Sequence, residues 1–353
     1  MTTQRVRRTT AVLATIACLV AGVSLGAAQT ASAAVKMATA PVVHKVIGTG
    51  TPGSCTDAKL HAAVRTGGLI SFNCGPNAVT IKLKSTLRTC NTHNCKHPWQ
   101  GGKPLTQMTI DGGGKVTLDA GGQFGIFYAN SCEESFGWLS GTCQNDKTLL
   151  ITFKNITLKN GNATKGVPGK ASVGGGGGGG AIAMRGNRLL VSKVKFSNNI
   201  CVKVHSDAGG GAIRVVGMKT TVQVKNSTFT SNKCSNGGAI SALSASMNIT
   251  GSKFTSNIAT GKGGSSGKGG NGGAVYYDGA GAQTVTIATS KFTSNKAPGG
   301  GPLVFFVSND RRGSLKITGT TGTSNTGQSF YTKPYKPIFF KGKTLTVTSS
   351  SIH

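Results

Sequence analysis

The chain has 353 residues, 54 of them Gly and only two Trp, and it lacks a long apolar helical stripe, so a large conventional globular core is excluded. Against 39 Lys and Arg stand nine Asp and Glu, a formal net charge of +30. A field of that size favours polyanions such as acidic polysaccharide, teichoic acid, nucleic acid or an anionic membrane surface.

Residues 1–33 have the layout of a secretory leader: basic Arg5, Arg7 and Arg8, an apolar run from Ala11 to Ala28, and Ala31-Ser32-Ala33 as a small-residue cleavage site. Removing it takes away three Arg and no acid (30 − 3), which leaves +27. No second apolar stretch is long enough for a membrane helix, so an exported, extracellular chain without a membrane span is expected. The expected organisation is a flexible segment over 34–50 and one domain over 51–353, with clear repeats in 149–330.

The stretch SCTDAKLHAAVRTGG predicts one short helix, with Ser54 or Thr56 as N-cap, Leu60, Ala63 and Val64 on one face, and Gly67 as the stop. Placed before the first strand, it would cover the open end of a strand stack. Strands follow in LISFNC, VTIKLK, LTQMTIDGGG, KVTLDA and GIFYAN. Of the nine cysteines Cys18 leaves with the leader, and an even number in an exported chain reads as disulfides. Sequence proximity pairs Cys55 with Cys74, Cys90 with Cys95, and Cys132 with Cys143. The cluster CNTHNCKH, with Cys90, His93, Cys95 and His97, would be the alternative zinc site, but its spacing matches no common metal pattern; no metal or cofactor is expected.

From residue 149 onward a unit repeats. Its anchor is an apolar residue followed three places later by Asn: FSNNIC from Phe196, FTSNKC from Phe229, FTSNIA from Phe254, FTSNKA from Phe292 and a degenerate GTSNTG from Gly322, with LKNGNA from Leu158 as an earlier relative. Seven and five places before the anchor lie Ile151/Phe153, Leu189/Val191, Val222/Val224, Met247/Ile249, Val285/Ile287 and Leu315/Ile317, alternating positions of a strand with one apolar face. After a loop of variable length comes a second strand: GGAIAM, GGAIRV, GGAISA, GGAVYY and GGPLVF, the last ending at Phe305. Anchor spacings of 38, 33, 25, 38 and 30 residues are natural for a fixed coil with insertions at one corner. The fold class this defines is all-β, a right-handed parallel β-helix solenoid with a short N-terminal capping helix. Stacked coils would form internal columns of aliphatic, Phe and Asn side chains, the Asn amides satisfying turn backbone and each other. Cys201 and Cys234 share one column in adjacent coils, about 4.8 Å apart, which suits a disulfide.

The pairing of FTSN with GGAI or GGAV resembles the repeat of the polymorphic outer membrane proteins, within the broader pectin-lyase-like β-helix superfamily, and MTIDGGGKVTLDAGG resembles the opening coils of that superfamily. The resemblance covers roughly residues 55 to 330 and implies the fold more than an activity. In the surface-displayed family a C-terminal membrane barrel carries the solenoid, which serves adhesion. The residues after the last repeat are too few for such a barrel, so the expectation is a free, secreted solenoid, a monomer.

The superfamily's enzymes are mostly polysaccharide lyases and glycosidases. A glycosidase needs two facing carboxyl groups, and Asp57, Asp111, Asp119, Glu133, Glu134, Asp146, Asp207, Asp278 and Asp310 include no clustered pair in a repeat strand. Asp111, before three glycines, reads as a turn residue. A calcium-dependent lyase also needs grouped acids; a metal-independent one acting on a uronic-acid polymer can use Lys, Arg, His or Tyr. With Ile182, Ile213, Ile240, Val275 and Leu303 inward, the outward columns are Ala183, Arg214, Ser241, Tyr276, Val304 and Arg185, Val216, Leu243, Asp278, Phe306. Arg185, Arg214, Tyr276 and Asp278 then share a face, with Arg214 and Tyr276 the catalytic candidates. Beside it, loops carry Lys165, Lys170, Lys203, His205, Lys262 and Lys268. A second candidate surface lies just before the anchors, where Thr157, Lys195, Thr228, Lys253, Lys291 and Thr321 form a column without acids, so that Lys253 and Lys291 stack and would track an extended anionic chain. The expected partner is an acidic polysaccharide or other cell-wall polyanion; no dedicated nucleic-acid motif is present. A lyase and a surface interaction or adhesion protein are the alternatives.

Overall fold

The computed structural model describes residues 43–89, 105–132, 143–164, 177–263, 266–328 and 336–353, all within one compact unit. The expected leader over residues 1–33, the pair Cys90 and Cys95 with His93 and His97, the acids Glu133 and Glu134, and Lys165 and Lys170 lie outside the described residues.

The chain winds as a parallel β-helix. Each complete coil carries a strand such as Arg188–Ser192, a corner, a short strand such as Lys195–Ser197, a second corner and, after a loop, a strand such as Ile213–Val216. Equivalent strands of successive coils pair in parallel, forming a long sheet of 17 strands, a sheet of eight and a sheet of four among the described residues. The long sheet bends at a column of left-handed residues three places before each anchor: Asn155, Lys193, Asn226, Gly251, Thr289, Gly319 and Ser349. A second such column, Asn160, Asn198, Ser231, Ser256, Ser294 and Ser324, turns the chain into the four-stranded sheet. Entry into the eight-stranded sheet needs glycine: at Gly237 φ is +55°, and a Cβ there would run into the Ile240 carbonyl oxygen.

The inside of the coil is built as the repeat predicts. The aliphatic or Phe residues seven and five places before the anchors Leu158 to Gly322 are all buried, while their counterparts in the last coil, Leu345 and Val347, are exposed. Phe196, Phe229, Phe254 and Phe292 stack with ring centroids 4.7, 4.6 and 4.6 Å apart. Beside them Asn199, Asn232, Asn257, Asn295 and Asn325 form a ladder, each Nδ2 donating to the next Oδ1 at 2.8 to 2.9 Å. The degenerate anchor Gly322 has a packing reason. Leu303 stands in the column that holds Ala181, Ala212, Ala239 and Ala274, and its Cδ1 lies 2.7 Å from where a Gly322 Cβ would be. A larger residue in one column is met by a smaller one in the next.

At the N-terminal end the helix Asp57–Thr66 forms as expected, with Thr56 as N-cap and Gly67 as C-cap, and it buries Leu60, Ala63 and Val64. Three of the expected disulfides are present, Cys55–Cys74, Cys132–Cys143 and Cys201–Cys234, with Cα separations of 5.7, 5.1 and 4.7 Å.

Four expectations are corrected. His44–Ile47 is a strand paired with Gly68–Phe72, so the solenoid begins inside the segment expected to be flexible. LTQMTIDGGG and KVTLDA are one strand, Gln107–Asp119, with a bulge between Asp111 and Val116, and there Asp111 has the turn role expected of it, its Oδ1 accepting from Gly113 N at 3.1 Å. A further coil, Ile338–Lys341, Thr344–Thr348 and Ser351–Ile352, follows the last recognised repeat. Finally, Val304 pairs with Val275 and Phe305 with Tyr276, one place later than the alignment on Gly300-Gly301 puts them. Pro302 takes the place of the second glycine, so Leu303 corresponds to Ala274, the outward positions are Phe305 and Val307, and Val304 and Phe306 point inward.

Candidate functional site

Two exteriors carry the candidate residues. The first is the outer face of the eight-stranded sheet. Its register sets Arg214 beside Ser241 and Ser241 beside Tyr276, so Arg214 and Tyr276 stand two strands, roughly 10 Å, apart. Arg185 and Asp278 lie three strands, roughly 14 Å, apart in the neighbouring column. The four share a face, as the alternation predicts, but they do not converge on one point.

This face is largely closed. Arg214 is 1 % and Tyr276 8 % exposed, and Tyr276 stacks on Phe305, which stacks on Phe339, at 5.5 and 4.3 Å. Arg214 donates from Nη1 to Ser241 Oγ at 2.6 Å. Burial lowers its pKa, with the charges around Tyr276, Asp207 and Asp278 opposing the shift. Tyr276 donates its hydroxyl to Asp278 Oδ2 at 3.2 Å, and Asn309 Nδ2 donates to Asp278 Oδ1 at 3.0 Å. Burial first, and Asp278 second, push the Tyr276 hydroxyl far above the ordinary phenol value, against the pull of Arg214. A proton held that firmly makes Tyr276 a hydrogen-bond donor and an unsuitable general base. At the other end of the face, Arg88 lies over the Tyr128 ring, 5.0 Å from its centroid. That contact escaped the sequence reading because Leu87–Arg88 precedes the recognisable repeats.

The second exterior is the outer face of the long sheet, where strand alternation turns every other residue to solvent. Lys195 pairs with Thr228, Thr228 with Lys253, Lys253 with Lys291 and Lys291 with Thr321, and the lysines are exposed. Two residues further along the same strands run Ser197, Thr230, Thr255, Thr293 and Thr323. Exposed Lys225 and Lys316 lie on the companion strands, and exposed Lys233 and Lys296 on the adjoining four-stranded sheet. The sequence reading named only the column before the anchors; the period-two pattern between the inward positions was the signal for the others.

Acids are distributed differently. On the long sheet they occur only as Asp111 and Asp119, near its N-terminal end, where they meet Lys154 at 3.1 Å and Lys159 at 3.4 Å. No strand of this sheet after Asp119 carries an Asp or Glu. Among the described residues, none of Lys195, Lys225, Lys253, Lys291 and Lys316 makes an ion pair. The loop cations Lys203, His205, Lys262 and Lys268 are exposed, beside the corner that leads to the eight-stranded sheet. Among the described residues, no group of three or more His, Cys, Asp or Glu is placed to hold a metal ion, and no helix is long and apolar enough to cross a membrane.

Compared with models of protein families, with curated proteins and with solved structures, the chain gives no significant match to any of them.

Proposed function

We propose that this protein is a secreted β-helix that binds an acidic polysaccharide or another extracellular polyanion along the cationic exterior of its long sheet. The observation that carries the reading is the segregation of charge: lysines without acid partners recur along the exposed exterior of the long sheet, while the acids of that sheet are confined to its first coils and are neutralised there. Unpartnered like charges one strand apart, about 4.8 Å, repel, and an anion laid across them removes that cost. The resemblance of GGAI and FTSN to repeats of the pectin-lyase-like superfamily adds polysaccharide to the candidate anions. Export is supported by the leader-like residues 1–33 and by three disulfides.

The test is retention of the purified protein on immobilised pectate, alginate, glucuronan and glycosaminoglycans over a salt gradient, with ultraviolet absorbance followed for an unsaturated uronate product. Retention that falls with salt and a flat absorbance trace are expected. A rise in absorbance would replace the binder by a lyase. Attachment to cells or proteins that ignores both salt and glycan would replace it by an adhesion protein.

A further inference from the structure

The long sheet contains one stack of strands that is open at both ends. His44–Ile47 pairs only with Gly68–Phe72, and Thr344–Thr348 pairs only with Ser314–Thr318. Followed from strand to strand, the inward column that begins with Lys45, Ile70 and Ile110 finishes with Ile317 and Val347. The column beside it begins with Val43, which lies against Gly68, continues through Met108 and Ile151, and finishes with Leu315 and Leu345. Among the described residues the exposed large hydrophobic side chains are Val43, Val46, Leu345 and Val347, and all four belong to these two edges. The last strand reads TLTVT, without the charge, Pro or bulge that blunts a free edge.

The backbone groups of the two edges also match. In a parallel ladder alternate residues turn their N–H and C=O to the same side. Val43 O and Ile47 O accept from Leu69 N and Asn73 N, so His44 and Val46 present their groups at the free edge. At the other end Thr348 O accepts from Gly319 N, so Leu345 and Val347 present theirs. With Leu345 opposite Val43 of a second copy and Val347 opposite its Lys45, these groups meet. Leu345 O takes the His44 N–H, Val347 N–H is donated to His44 O, and Val347 O takes the Val46 N–H. The register that continues both inward columns is therefore the one that satisfies both edges, and a slip of one residue would lose both. Lys45 does not interrupt its column, because its Nζ is turned back to Gly67 O and its methylenes remain for Val347.

We infer that the partner at these edges is a second copy of this chain, stacked head to tail along the solenoid axis, with Thr344–Thr348 of one copy pairing in parallel with His44–Ile47 of the next. Such a contact is heterologous and does not close, so copies add into rows instead of stopping at a pair. It replaces the monomer expected from the sequence and does not depend on polyanion binding. A two-fold contact between two C-terminal ends would leave Val43 and Val46 uncovered. One strand edge is a small contact, of the class below about 1,200 Å² that associates weakly. Both ends carry exposed cations, Lys59 and Arg65 on the capping helix and Lys341 and Lys343 on the last coil, so salt should strengthen the association by screening them.

The experiment is sedimentation velocity of the purified mature protein over a range of protein and salt concentrations. Val43→Lys with Val46→Lys blocks one edge, and Leu345→Lys with Val347→Lys blocks the other. The unsubstituted protein should form rows whose mean size grows with concentration and with salt. Each double variant alone should stay monomeric. An equimolar mixture of the two should give dimers and nothing larger, because one open edge of each kind remains. Val347→Pro removes an N–H that the chain's own coil does not use. It should weaken association about tenfold with the melting temperature unchanged, which keeps the test decisive if circular dichroism shows that the Lys variants disturb the last coil. A monomer at every concentration and salt would overturn the inference. Dimers that survive Val43→Lys with Val46→Lys would overturn it in favour of a two-fold contact between C-terminal ends. A mixture of the two variants that stays monomeric while the unsubstituted protein associates would place the contact elsewhere on the surface.

Discussion

Asn257 is satisfied at every polar atom of its side chain. Its Oδ1 accepts from Asn232 N and Nδ2 at 3.1 and 2.9 Å, and its Nδ2 donates to Phe229 O and Asn295 Oδ1, both at 2.9 Å. Asn257→Ala would leave buried partners on both neighbouring coils unsatisfied, so a loss of about 3 kcal/mol is expected in urea unfolding. Tyr277 is the opposite case. It is fully buried, stacks on Phe306 at 4.4 Å, and among the described residues its hydroxyl has no hydrogen-bond partner. Tyr277→Phe removes only that hydroxyl, so a gain of about 1 kcal/mol is expected in the same assay. The Asn column was legible because one residue type recurs at one offset. Its companion was not: Ser227, Ser252, Ser290 and Thr320, two places before the anchors, accept from the backbone N–H of the coil before at 3.1 to 3.4 Å. In a chain rich in Ser and Thr, that column is indistinguishable from surface composition until the coils are stacked.

At the scale of the strand, the sequence reads well where a period is kept and fails where a residue is added or lost. The alternating inward pairs and the Cys201–Cys234 column follow from period and register alone, and both are present. The slip at Pro302, the bulge after Asp111 and the final coil ending at Ile352 are places where the local pattern breaks while the backbone pairing continues. The first coils also carry a pH dependence. Burial raises the Asp111 and Asp119 carboxyls, but hydrogen bonds from Asn155 and Gly113 to the one, and from Gly121 and Asn160 to the other, outweigh it with the help of Lys154 and Lys159. Both folded-state values end below the ordinary carboxylate value of about 3.9. A depressed folded pKa contributes stability that is present above the unfolded value and lost as pH falls through the folded one. Stability should therefore decline as pH drops below about 4. Asp111→Asn with Asp119→Asn should flatten that decline, and urea midpoints between neutral and strongly acidic pH would measure it.

For the whole molecule, the charge imbalance sets stability against binding. Lys253 and Lys291 face each other across one strand spacing of about 4.8 Å, inside a screening length of roughly 8 Å at physiological salt. Their mutual repulsion opposes the folded coil and is released on unfolding. Lys253→Gln with Lys291→Gln should consequently stabilise the free protein in low salt by a fraction of a kcal/mol, about the scale of an exposed charge pair, read as a higher melting temperature, and the gain should vanish in high salt. The same variant is the one expected to bind polyanions less well. A residue pair kept for solubility alone would be matched by any hydrophilic replacement, with no change in retention on uronans. A pair that destabilises the free protein and strengthens the complex would show opposite signs in the two assays, and melting curves with and without saturating polyuronate separate the cases: added polymer should raise the melting temperature of the unsubstituted protein more than that of the variant.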